Sequence, residues 1–512
     1  MRRGWILAAL STLAGCSRAC LPSDPKSQEA VLILGTTQEP STLDPAFAVR
    51  SGEQEIVRLL FQDLTGFDDR AQVVPRLART LPEVSTSTGG RLHVTWSLRE
   101  ARWSDGTPVT TADVLLGHEV EANEALEAVS HDVARRVAAI RSEGPRKFTV
   151  TWREPFRGVS DPRVHAVLPA HAYPASRPRG FRGVGRDASV TNGPFRVERW
   201  TPGQSLIMTR NPFWKGPRPG LDKLVFRFFP SDDAFETELA AGGIHALGAA
   251  SGLGIALARR LGERFEDTHV VEAKPSGLLL QLGLRLDHPL LARAEVRRAL
   301  HEAVDRPRLA ELVYGGWASP AYGLYGPAHP AHRSRAEVTP SSPGSTLRDL
   351  FGKEPLLLTF AAGSEAAERA AVVLEDTLES AGFTIELQAR PFPALFEAIQ
   401  RGTQSPLSLF AFRTRPDWAG TTLLKTGGRL NSSGYSHPDV DRWLTEAERT
   451  PNVENWVGVL HRIENQVMED LPLVPLLFRH EVSLRPRQLE GWRPTGTTTP
   501  VTWNAEAWHW RR

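Results

Sequence analysis

The run Trp103-Ser104-Asp105-Gly106-Thr107-Pro108 sets a carboxylate, a hydroxyl and a large aromatic ring side by side. Those residue types suit sugar chemistry, with Asp105 as a general acid and some of the chain's 14 tryptophans as flat platforms for pyranose rings. The same residues have a complete structural account. Asp105-Gly106 and Pro108 are turn formers, Thr110 offers an N-cap oxygen, and Asp113 completes a capping box at the first helical turn. Trp103 then becomes the apolar plug that pins the turn to its subdomain. On that reading the stretch is a corner rather than a catalytic site.

Other chemistry-bearing patterns are weaker. There is no Gly-x-x-x-x-Gly-Lys-Ser/Thr phosphate loop, no Gly-x-Ser-x-Gly elbow and no His-Glu-x-x-His pair. Gly252-Leu253-Gly254 opens a helical-looking stretch but lacks the third glycine of a dinucleotide fingerprint. His329 and His332 have a metal-like spacing, yet Pro330 sits between them and no Cys or carboxylate cluster accompanies them, so the reading is a solvated loop. Asp68-Asp69 and Asp232-Asp233 fall at loop or helix starts, where capping and solvation explain them. No metal and no cofactor is expected.

The elements that must position any site alternate along the chain. Val31–Thr36 reads as a buried strand, followed by a helix with a capping box at Ser51 and Gln54, an apolar face of Ile56, Leu59, Leu60 and Leu64, and a stop at Gly66. Residues 92–98, 148–152 and 224–229 read as strands, and 196–200 with 205–210 as a hairpin about Thr201-Pro202-Gly203. Val296, Leu300, Ala303 and Val304 share a helical face; Asp305 caps a second helix that Gly315 stops. Ser436-His437-Pro438-Asp439 starts another, and Trp456, Leu460, Ile463 and Val467 mark the next. This alternation without internal repeats argues α/β lobes.

A chain of 512 residues with 41% hydrophobic and 23% charged content is that of a folded globular protein of several units. A net charge of +2 gives no electrostatic case for nucleic acid. Both cysteines, Cys16 and Cys20, lie near the start, so no disulfide braces the body. Arg2 and Arg3 precede an apolar run too short to anchor in a bilayer, and Leu13-Ala14-Gly15-Cys16 resembles the lipobox of bacterial lipoproteins, in which Cys16 would be acylated. Residues 1–16 then form the signal peptide and 17–30 a flexible tether, leaving the folded part outside the cytoplasm on a lipid.

Trp103-Ser104-Asp105-Gly106-Thr107-Pro108-Val109 with Ala112-Asp113-Val114 closely resembles a motif of family 5 solute-binding proteins, the extracytoplasmic receptors of peptide/nickel-type ABC importers. Further blocks follow in the family's order. They are Glu39-Pro40 to Leu43-Asp44-Pro45, Val74-Pro75-Arg76-Leu77-Ala78, Thr191-Asn192-Gly193-Pro194-Phe195 and Arg210-Asn211-Pro212-Phe213-Trp214. Val296-Arg297-Arg298-Ala299-Leu300 with Ala303-Val304-Asp305-Arg306, the segment from Ser433 to Asp441, and Asp470-Leu471-Pro472-Leu473-Val474-Pro475-Leu476 complete the series.

The resemblance implies a two-lobe, type II periplasmic-binding-protein-like α/β fold. Lobe I would comprise 31–70, 190–272 and 480–512, with an inserted subdomain at 71–189, and lobe II would comprise 273–479. Crossings are expected near 274–280 and 475–482, with a ligand held between the lobes by closure about them. It also implies a binding protein rather than an enzyme, a short peptide or similar polar solute as ligand, ABC permease subunits as partners and a monomeric state. The implied ligand contacts are Gln38, Glu39, Phe412, Arg413, Arg415, Asp417, Trp418 and Phe478.

One stretch departs from the family pattern. Peptide-binding members carry a Trp-x-x-Asp-Tyr-x-Asp-Pro-like sequence whose first Asp meets the peptide amino group. Here Phe412-Arg413-Thr414-Arg415-Pro416-Asp417-Trp418 is one residue shorter, Arg415 falls near the expected Asp and Asp417 remains. Two arginines in a cleft favour a carboxylate- or phosphate-bearing ligand; the alternative is that both point to solvent while Asp417 caps the next turn. His245, where the family has Asp, reads as a surface change. Two other functions stay open: a surface hydrolase acting on carbohydrate through Asp105, and a degenerate receptor acting as sensor or scaffold.

Overall fold

A computed structural model describes residues 29–511 apart from 71, 88–89, 127, 162–163, 174–189, 335–353, 416 and 498. Cys16, Cys20 and most of the tether therefore lie outside the described residues. Among those described, no helix is long and apolar enough to cross a membrane.

Strand Val31–Thr36 lies parallel to Lys223–Phe228, whose buried Leu224, Phe226 and Phe228 alternate with half-buried neighbours. A parallel pair needs a crossover, and this one carries a second, antiparallel sheet of Glu83–Thr86, Leu92–Ser97, Lys147–Trp152 and Val137–Ser142. The main sheet continues outward through Ser205–Arg210 to Phe195–Thr201, the expected hairpin. Inward, Ala246–Leu247 joins it to two long antiparallel strands, His269–Leu284 and Leu473–Pro486. Beyond them lie Leu407–Arg413, Leu356–Ala361 and Ile385–Arg390. A single hydrogen-bonded path thus ties two α/β lobes together through the two long strands.

That pair is interrupted between the lobes. Pro275 stands opposite His480 and Leu278 opposite Arg479, so Ser276 and Gly277 are looped out of the ladder. Proline has no N–H to give. Ser276 Oγ donates to the Arg479 carbonyl and accepts from Leu278 N at 3.1 Å, while the Gly277 carbonyl accepts from Thr414 N at 2.7 Å. A Cβ on Gly277 would lie 2.0 Å from the Thr414 carbonyl oxygen, so the position admits glycine alone without a backbone shift.

Each lobe has its own core. Leu32, Leu34 and Phe226 pack in one cluster with Trp96 and Trp152 of the smaller sheet and Trp103 of the turn that follows its strand Leu92–Ser97, so that sheet is built onto the first lobe. Leu282, Leu300, Leu358, Leu374 and Leu409 form the core of the second, flanked by a helical layer around Tyr325, Leu444 and Trp456. The opening motif is the corner its turn chemistry foretold. Trp103 is fully buried, Ser104 exchanges hydrogen bonds with Thr191, and Thr110 with Asp113 caps Thr111–Ala122. Asp305 and Gly315 likewise bound Arg306–Tyr314, and His437 caps Pro438–Arg449.

The helix Ser51–Leu60 differs from expectation at both ends. Its capping box is Arg50 with Glu53, because the Glu53 carboxylate takes the Val49, Arg50 and Ser41 amides and leaves Ser51 as the first helical residue. It stops at Leu60, and Gly66 sits in the short strand Thr65–Phe67.

Candidate ligand-binding cleft

Leu278 is paired on one side with Arg413 and on the other with Arg479, and both arginines line a cavity of ≈ 430 Å³ between the lobes. The first lobe supplies Gln38, Ser51, Gly252, Gly254, Ile255 and Ala256; the second supplies Val313, Tyr314, Ser364, Arg369 and Arg413. Between them the long strand contributes Arg479, His480, Glu481 and Val482. Three helices begin on this wall: Ser51–Leu60, Ile255–Arg264 and Glu365–Ser380. The free N–H groups and macrodipole of a helix start favour negative charge, and Ile255–Arg264 has no side chain capping it. Arg413 is ion-paired with Glu481 and Arg369 with Glu365, whereas the Arg479 guanidinium lies near the Tyr314 hydroxyl, whose pKa burial raises and Arg479 lowers.

Behind the wall stands Glu55. Its carboxylate is buried, Oε1 has no hydrogen-bond partner among the described residues, and a Cβ on Gly248 would lie 2.4 Å from that oxygen. Burial, and then the charge of Glu481, push its pKa up to about 8, so it holds a proton at neutral pH.

The expected contact residues separate into four groups. Gln38 and Arg413 line the cavity. Glu39 is held away from it, accepting from the Trp200 indole and the Gly203 amide at 3.0 Å each. Phe412, Arg415, Asp417 and Trp418 form a neighbouring cluster, with Arg415 3.4 Å from Asp417 and the Phe412 and Trp418 rings 5.3 Å apart. Phe478 is buried against Leu279 and Ala321. Its neighbour Arg479 lines the cavity instead, at the start of the run 479–482 that borders it. Tyr314, Arg369, Arg479 and Glu55 carried no local signal in the sequence.

Two histidine readings are corrected. His329 is not in a solvated loop: it is buried, stacked on Tyr325 at 4.5 Å, with Nε2 on the Trp418 carbonyl and Nδ1 accepting from Ala331 N. His245 is half-buried rather than a surface residue, its Nδ1 accepting from Ile33 N at 3.3 Å. Asp105 accepts from Thr107 N and meets His171 Nε2 at 2.7 Å. Partial burial works upward on its pKa, but the Thr107 and His171 hydrogen bonds outweigh it and lower the value, which suits a fixed carboxylate and not a general acid.

Comparison with known proteins agrees with this architecture. The family model for bacterial extracellular solute-binding proteins, family 5 (middle), matches residues 72–431. Protein XP55 of Streptomyces lividans is 24% identical over 499 residues, 90% of this chain and 87% of its own. The oligopeptide-binding protein AppA of Bacillus subtilis is 21% identical over 529 residues, 95% of this chain and 94% of its own. Among solved structures, the substrate-binding protein CtaP of Listeria monocytogenes superposes with a TM-score of 0.80 at 18% identity, covering 95% of this chain and all of that one. AppA of B. subtilis, solved with a nonapeptide, gives 0.71 at 18% identity over 95% of this chain and all of its own. With a family model matched along most of its length and a two-lobe fold shared with such receptors, the chain belongs to family 5 of the bacterial extracellular solute-binding proteins.

Proposed function

We propose that this protein is the receptor component of an ABC importer, tethered outside the cytoplasm by a lipid on Cys16, and that it captures a short peptide or similar polar solute without altering it. Curated relatives support the ligand class, being named for oligopeptides in B. subtilis and for glutathione in Escherichia coli. The single observation that carries the reading is the ≈ 430 Å³ cavity between the lobes, walled from both sides and set at the break in the two long strands. Flexing at Ser276 and Gly277 changes the size of that cavity, and a ligand touching both walls favours the closed arrangement. In this reading lobe I comprises 31–70, 190–272 and 480–512 with the inserted subdomain at 71–189, and lobe II comprises 273–479.

Arg479 and the helix starts at Ile255 and Glu365 suit a carboxylate of the ligand, and the Gln38 side chain a polar group opposite. Purified protein, warmed with a panel of two- to five-residue peptides, glutathione and metal chelates, should melt later with at least one of them. A ligand at 100 times its Kd adds about 2.7 kcal/mol. A panel that leaves the melting temperature unmoved at millimolar concentration overturns the proposal.

A further inference from the structure

We infer that Arg157 is a clasp through which the smaller-sheet subdomain holds the second lobe shut. It stands at the start of the 3-10 turn Arg157–Ser160, after strand Lys147–Trp152, in the part of the molecule built onto the first lobe. Its guanidinium leaves that subdomain and reaches the second lobe. There the carbon lies 3.9 Å from the centre of the Trp456 ring, and Nη1 donates to the Pro451 carbonyl at 3.0 Å and towards the Thr450 carbonyl at 3.4 Å.

Each partner is of a kind that holds a cation. Trp456 is buried within the helical layer, so its ring face is rigid and dry, where a cation over the ring gains most. Thr450 and Pro451 follow the last turn of Pro438–Arg449, where unpaired carbonyls and the negative end of the dipole accumulate. Asp417 adds an attractive charge within reach of Arg157. Two further pairs flank the contact with matching signs, Arg449 with Glu154 at 2.9 Å and Arg136 with Glu448 at 3.6 Å.

None of these groups lies on the two long strands, so the contact is a second tie between the lobes, separate from the strands that connect them. Parting the lobes must pull Arg157 off Trp456 and the two carbonyls. The clasp therefore sets how far the empty receptor rests towards closure, before any ligand acts. It also fixes a charge preference: in the closed form a ligand ammonium offered to Asp417 would meet two guanidinium groups, Arg157 and Arg415, already there.

The inference rests on the reading of the cleft as one that opens and closes, and the test separates the two. Spin labels on cysteines replacing exposed Val84 and Val372, one on each side of the clasp, report the interlobe distance in the chain from residue 17 onward with Cys20 replaced by serine. In the ligand-free protein, Arg157→Ala should move the distance distribution outward, shifting the closed-to-open ratio about tenfold. Arg157→Lys keeps the charge but not the planar stack, and should fall between; it also serves if the alanine variant folds poorly. Distributions of R157A and R157K that superimpose on that of the parent overturn the clasp. The receptor reading is judged separately, by whether the peptide panel moves the distances of the parent chain.

Discussion

Arg413 and Glu481 form an ion pair across the strand that separates them, beside the looped-out Ser276 and Gly277. Arg413 comes from Leu407–Arg413 in the second lobe and Glu481 from the half of its strand that enters the first. The charge at this junction is completed by Glu55. Burial, and then the negative charge of the ion-paired Glu481 beside it, make this second carboxylate most stable when protonated.

That arrangement has a sign in the pH dependence of stability. Glu55 keeps its proton up to about pH 8 in the folded chain, whereas its ordinary value is 4.5. Between those limits the folded state binds the extra proton, so its contribution is fully present below pH 4.5 and is lost as pH rises through 8. Replacing Glu55 with Gln should leave stability at pH 5 nearly unchanged and raise it at pH 8, a difference of about 3 kcal/mol. Urea unfolding of both proteins across this range checks it, and parallel curves would show that Glu55 is ionised in the folded chain.

Two glycines should respond in opposite senses to the same methyl group. At Gly277 a Cβ would meet the Thr414 carbonyl at 2.0 Å, so Gly277→Ala must displace backbone at the junction and cost about 1–3 kcal/mol. Gly458 sits inside Val453–Asp470 with nothing near a Cβ, so Gly458→Ala should stabilise by roughly 1 kcal/mol through helix propensity alone. Thermal melts of the two variants give the comparison. If the proposed hinge is right, G277A also changes ligand affinity while G458A does not.

Much of this frame was legible in the sequence because its signals are local. A capping box, an αL glycine after a helix and a strand's apolar pattern act over four to eight residues; Thr110 and Gly315 bound their helices as expected, and the strand expected over 224–229 forms one residue earlier, as Lys223–Phe228. The cleft is assembled otherwise. Arg413 and Glu481 are 68 positions apart, and Glu55 meets Glu481 through packing that no local pattern encodes. Phe478 shows how fine the margin is: one step along a strand exchanges a core ring for the cavity-lining Arg479. His329 failed for a related reason, since a Pro-containing connection reads as exposed although here it is roofed by Trp418, Tyr325 and Trp456.

A final expectation concerns His165, which lies against Trp96 and Trp152 with ring-centre distances of 6.5 and 5.9 Å. Both of its ring nitrogens are buried without a hydrogen-bond partner among the described residues. Burial, and next the neighbouring His118, bring its pKa down to about 3 from 6.5. A depressed folded value means the contribution is fully present above pH 6.5 and is lost as pH falls towards 3, because the unfolded chain takes up the proton first. An aliphatic side chain of similar volume has neither the unpaired nitrogens nor the proton. His165→Leu should therefore stabilise at pH 7 by on the order of 1 kcal/mol, and at pH 5 by about 2 kcal/mol more than at pH 7. The slope runs opposite to that of Glu55, so denaturant melts of the two single variants at these pH values distinguish the sites. A His165→Leu protein whose gain is the same at both would mean that the imidazole is ionised in its pocket between the two tryptophans.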